Sequence, residues 1–181
     1  SIYKLVWDDF SSWFLEMVKP AYQQPIDAKT LKAVINFLED NLKVLHPYMP
    51  FISEEIWQNI TDRTPDEALI IANYPEITTV NELLINDFKF TSEVISNIRT
   101  IRKDKNIAFK NTIELFILNN ENLNKDFDAV IQKLGNLSSL EYVTEKVDGA
   151  LSFSVRSNEY FIPMSSDVNV EEEKIKLEEE L

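Results

Sequence analysis

Cysteine is absent from the 181 residues, glycine occurs twice (Gly135 and Gly149) and histidine once, as His46. Without cysteine there is neither a disulfide framework nor a thiolate metal site, which fits a reducing, cytoplasmic setting. Two glycines cannot build a phosphate-cradling loop, so P-loop and dinucleotide sites are excluded. His46 has no serine, cysteine or aspartate at a spacing that would assemble a nucleophilic triad, and it reads as a corner residue bonded to backbone. No apolar run approaches the ~18 residues of a membrane span. No signal peptide is visible, so no membrane partner is expected. Adjacent carboxylates (Asp8/Asp9, Glu54/Glu55, Glu171 to Glu173) fall on outer helix faces, where solvation is their ordinary role. No catalytic residue, metal ligand or cofactor is therefore assigned.

What is present describes a folded chain. Hydrophobic residues make up 44%, enough for a core. The net charge of −13 opposes non-specific binding to nucleic acid. That charge is uneven. Asp167 to Leu181 holds seven acids and two lysines, whereas Arg99, Arg102, Lys103, Lys105 and Lys110 face only Asp104. The opening "SIYKLVWDDF" is helix-patterned from Ile2 and lacks an initiator methionine, which suggests a piece of a longer protein.

Periodicity predicts a helix over Ile2 to Lys19, with Tyr3, Val6, Trp7, Phe10, Trp13, Phe14 and Met17 on one face. On a 100° wheel Leu15 falls on the opposite side, beside Asp8, Ser12 and Lys19. A second helix opens at Asp27 as N-cap and ends at His46-Pro47, because the residue before proline leaves the α region. Pro50 then starts a third helix, where its missing N–H costs nothing. Its Phe51, Ile56, Trp57 and Ile60 are expected to share one core. A connector leads to a long helix over Asn81 to Lys105. Thereafter the pattern reads strand (Thr112 to Leu118), helix (Leu123 to Leu134), strand (Leu140 to Thr144) and a hairpin turning at Ser157-Asn158. Val170, Leu177 and Leu181 suggest a heptad helix. The expected fold is mainly α: a helix bundle over residues 1–106, a small mixed α/β subdomain over 107–166, and the root of a coiled-coil arm over 167–181.

Arg99, Arg102, Lys103 and Asn106 recur at i, i+3, i+4 and i+7, which places them on one flank of the long helix. Guanidinium groups so arranged can fork to phosphates or stack on bases; spacing alone equally allows a solvated face paired to local acids.

Three motifs occur in order: "WDDFSSWFLEMVKP" (Trp7 to Pro20), "LHPYMPFISEEIW" (Leu45 to Trp57) and "ISNIRTIRKDKNI" (Ile95 to Ile107). Together they resemble the C-terminal region of valyl-tRNA synthetases, and the likeness covers nearly the whole chain. The corner motif is shared with isoleucyl- and leucyl-type enzymes. The family pattern F-C-D-W-Y stands here as Phe10-Ser11-Ser12-Trp13-Phe14. The resemblance implies an anticodon-binding helix bundle, a monomer and tRNA(Val) as partner. It also implies a parent valine-tRNA ligase whose ATP and Mg²⁺ are handled elsewhere, since HIGH- and KMSKS-type signatures do not occur in these residues. Arg99, Arg102, Lys103 and Asn106 would contact RNA. Leu15 would pack on an anticodon-loop base, and Lys19 would meet a phosphate. A purely structural bundle with a protein-docking tail is the alternative, favoured by the acidic end and overall charge.

Overall fold

In the computed structural model, residues 1–76, 79–120 and 124–163 are described. They divide into two units, Ser1–Val80 and Asn81–Leu181. The boundary thus precedes the long helix, which packs with later elements of the chain rather than closing a bundle at residue 106. The heptad expected over 167–181 lies outside the described residues.

The first unit holds helices α1 (Lys4–Phe14 continuing as Leu15–Val18), α2 (Ala28–Leu45) and α3 (Pro50–Ile60), then short 3₁₀ turns at Pro65–Glu67 and Leu69–Ile71. Asp27 caps α2 as expected: its Oδ1 accepts the Thr30 N–H at 2.9 Å, and hydrogen bonding from the Thr30 side chain, then from its backbone, holds the carboxyl below its ordinary range. Pro50 occupies the first turn of α3. Leu42, Trp57 and Leu69 form the core, with Leu38, Ile56, Ile60 and Ala72 packed around them. Glu54 ties the last turn in, accepting the Leu69 N–H at 2.9 Å. Phe51 departs from expectation. It is 90% exposed, because α3 buries the side carrying Ser53 and Trp57 instead.

Helix α1 departs more instructively. Lys4–Phe14 has π geometry, a rare i→i+5 register. The Leu15 N–H donates to the Phe10 carbonyl. The hydroxyls of Ser11 and Ser12 repeat the five-residue step, donating to the carbonyls of Val6 (2.7 Å) and Trp7 (2.9 Å). The wider turn changes the phase of the whole helix. Residues five apart come closer in phase than on a 100° wheel, and Leu15 is half-buried while Phe10 is buried. Trp7 and Tyr3, assigned to the core by the 100° wheel, are 60% and 69% exposed and stack on one another. Phe10 stacks on Phe14, whose ring meets Phe37 of α2 edge-on at 5.1 Å. Leu15→Ala should accordingly lower the stability of this unit by about 1–2 kcal/mol, read as a reduced melting temperature.

The second unit holds α4 (Glu82–Asp104), β1 (Ile113–Leu118), α5 (Asp128–Gly135), β2 (Leu137–Val143), β3 (Ala150–Val155) and β4 (Asn158–Pro163). The sheet order is β2-β1-β4-β3. Strands β1 and β2 are parallel and joined through α5, because a parallel pair needs a crossover. β4 runs antiparallel to both β1 and β3. Alternation in β1 buries Leu115 and Ile117, and Val94, Ile95 and Ile98 of α4 are likewise fully buried. The β3–β4 turn falls at Arg156-Ser157, one residue earlier than expected, with Arg156 at φ 54°.

Candidate nucleic-acid interface

The basic island surrounds the end of α4, and its geometry starts with how that helix stops. Asn106 adopts φ 51°. Its N–H donates to the Lys103 carbonyl at 3.2 Å, and the Ile107 N–H reaches back to Arg102 at 2.8 Å. This pair of bonds is a Schellman motif, and asparagine is the commonest non-glycine residue to accept its left-handed position. Asn106 is exposed, yet its placement is already explained by the backbone. Asn106→Gly should leave the melting temperature nearly unchanged, whereas Asn106→Val should cost about 1–2 kcal/mol.

Arg102 is the main correction to the expected stripe. The side chain is 4% exposed. Its Nε donates to the Gly135 carbonyl (3.1 Å), one terminal nitrogen to Asn111 (2.8 Å) and Ala108 (3.4 Å), and the other to Asn136 (2.8 Å). Every one of these acceptors is a main-chain carbonyl, two of them at the C-terminal end of α5, where a helix favours a cation. Burial pulls the guanidinium below its ordinary pKa, but arginine stays charged there. Arg102 therefore joins α4, the 108–111 turn and α5, and is withdrawn from any RNA-facing surface.

Arg99 and Lys103 remain exposed, four residues apart on α4, hence on one face. Lys110 is exposed too, and Phe109 beside it is 63% exposed. The Phe109 carbonyl accepts from the Asn136 side chain, and the Arg102 guanidinium lies 5.8 Å from the Phe109 ring. An exposed ring held among cations is the combination that single-stranded RNA-binding proteins use. Phe109 was not assigned from sequence, although an aromatic interleaved in a basic run was the available signal. The other two expected residues belong to the first unit. Lys19 is exposed and paired with Glu16 at 3.4 Å. Leu15 is half-buried, with part of its side chain exposed. Among the described residues no helix is long and apolar enough to cross a membrane.

Residues 1–117 match the family described as the anticodon-binding domain of tRNA ligase. The chain belongs to that family. This anticodon-binding domain is also similar, along its whole length, to valine–tRNA ligases. That of Christiangramia forsetii is 63% identical over 181 residues, covering 100% of this chain and 21% of that protein. That of Parabacteroides distasonis is 49% identical over 181 residues, covering 100% of the chain and 20% of the relative. The Bacillus subtilis enzyme is 30% identical over 190 residues, covering 99% and 21%. The anticodon-binding domain thus spans about a fifth of the length of the curated relatives it matches. The family match takes in the first unit together with α4 and most of β1.

Proposed function

We propose that this anticodon-binding domain recognises tRNA(Val) as the C-terminal part of a cytoplasmic, monomeric valine–tRNA ligase. The remainder of that ligase activates valine with ATP and Mg²⁺ and esterifies it to the tRNA. The observation that carries the reading is the 63% identity to a valine–tRNA ligase over every residue of the chain. On this reading Arg99 and Lys103 supply phosphate contacts, Lys110 adds charge, and Phe109 offers a stacking face. Asn106 sets the end of α4, and Lys19 offers a further cation in the first unit.

The test is kinetic. Arg99→Ala combined with Lys103→Ala, introduced into the whole ligase, should raise the KM for tRNA(Val) about tenfold through the loss of two charge-assisted contacts. Valine-dependent ATP–pyrophosphate exchange should stay unchanged, because that half-reaction uses no tRNA. An unmoved KM, or an equal fall in exchange, contradicts the assignment.

A further inference from the structure

A cavity of about 270 Å³ opens in the second unit between the first half of α4, the residues leading into α5 and the β3–β4 turn. Asp87, Phe90 and Thr91 line it from α4 at i, i+3 and i+4, so one side of the helix supplies them together. Phe127 adds a second ring from the start of α5, and Arg156, Ser157 and Asn158 come from the turn. None of the residues proposed to meet tRNA lines it.

The walls carry charge of both signs around two half-buried rings. Arg156 is held to α4 by Glu93: its Nη2 and Nε donate to the two carboxylate oxygens at 3.2 and 3.4 Å. The guanidinium lies 5.3 Å from the Phe90 ring centroid. Asp87 is half-buried, and its Oδ2 accepts from the Asn124 side chain at 2.8 Å. Among the described residues, Arg156 Nη1 and Asp87 Oδ1 have no partner. Nη1 can therefore still donate, and Oδ1 can still accept. The exposed Ser157 hydroxyl adds a donor beside Arg156. Thr91 adds none, because its hydroxyl donates to the Asp87 main-chain carbonyl at 2.9 Å.

A ligand that answers both open groups needs an ammonium and a carboxylate. A phosphate would be repelled by Asp87, and a plain amine would leave Nη1 unanswered. We infer that this cavity binds a free α-amino acid with an apolar side chain. The ammonium donates to Asp87 Oδ1, the carboxylate accepts from Arg156 Nη1 and the Ser157 hydroxyl, and the side chain lies against Phe90 and Phe127. Apolar walls with a few converging polar groups are the general form of a small-ligand pocket. The volume falls just below the ~300 Å³ at which pockets for drug-sized molecules begin, which suits a smaller ligand.

The test titrates this chain alone, labelled for amide NMR, so that the rest of the proposed ligase contributes no amino-acid site. L-Valine at millimolar concentration should give saturable shifts in the signals of Phe90, Phe127 and Ser157. L-Valinamide lacks the carboxylate and 3-methylbutanoate lacks the ammonium, so each should bind at least about tenfold more weakly. Arg156→Gln and Asp87→Asn should each weaken valine binding about tenfold. Melting temperatures should stay unchanged, since an exposed ion pair such as Arg156–Glu93 contributes little to stability. Should a variant melt lower, the two analogues on the unaltered chain decide alone. No saturable shift with valine overturns the inference, as does either analogue binding as tightly as valine. Equal valine affinity in both variants overturns it too, whereas failure of tRNA binding leaves it standing.

Discussion

Arg102→Ala should destabilise the second unit by about 3–4 kcal/mol, at the severe end for a single substitution. The truncation strips the carbonyls of Gly135, Asn111 and Asn136 of a charged donor at once, the first of them in a buried bond, and removes a side chain that is 4% exposed. In a unit of this size the melting temperature should fall by more than about 10 °C. Arg102→Lys should recover only part of the loss, since one ammonium cannot reproduce a planar fork aimed at carbonyls on α5 and the 108–111 turn. Arg99→Ala should change stability by less than about 0.5 kcal/mol, as an exposed position does. Thermal unfolding of the three variants separates the clamp from the surface cation. Equal melting of Arg102→Ala and the unaltered chain would show that Arg102 is no clamp.

Trp57→Ala should cost the first unit about 3–5 kcal/mol. The ring is 8% exposed and sits in the core with Leu42 and Leu69. Its Nε1 donates to the Glu67 carbonyl at 2.8 Å, which anchors the turn after α3. The Arg63 guanidinium lies 3.8 Å from the ring centroid while bonding the Trp57 carbonyl and Glu39 of α2. One side chain therefore joins α2, α3 and the turn beyond α3. Trp57→Phe keeps an aromatic body and loses the N–H, so a cost nearer 1–2 kcal/mol is expected. Chemical denaturation of both variants checks the order.

Local chemistry made much of this fold legible. Asp27 and Asn81 cap their helices through their own side chains, and Pro50 opens α3 as expected, whereas His46 keeps helical dihedrals (φ −52°, ψ −42°) instead of leaving the α region before Pro47. Strand β1 shows its alternation directly. The misplacements share a different cause: each depended on partners distant in sequence or on a departure from ideal geometry. The wheel for α1 assumed a 100° step, and the π register left Leu15 half-buried and Trp7 outside. Arg102 read as a surface cation because its acceptors, at residues 108–111 and 135–136, carry no signature of their own. Backbone carbonyls occur at every residue, so nothing in sequence marks those that a guanidinium will claim. Phe51 read as core because it shares a motif with Trp57, although the helix turns it 90% exposed. The candidate interface was therefore visible as a charge island, and the structure resolved it into exposed Arg99 and Lys103 around a buried clamp.

The most direct measurement is a titration of the chain with tRNA(Val) transcripts carrying the natural and an altered anticodon, repeated at several salt concentrations. Binding should weaken as salt rises, because phosphate contacts release counterions, with a slope near −0.7 to −0.9 per contact. The altered anticodon should bind at least about tenfold more weakly, as loss of a stacked and hydrogen-bonded base requires. Equal affinity for the two transcripts, or affinity insensitive to salt, would contradict anticodon recognition by this chain.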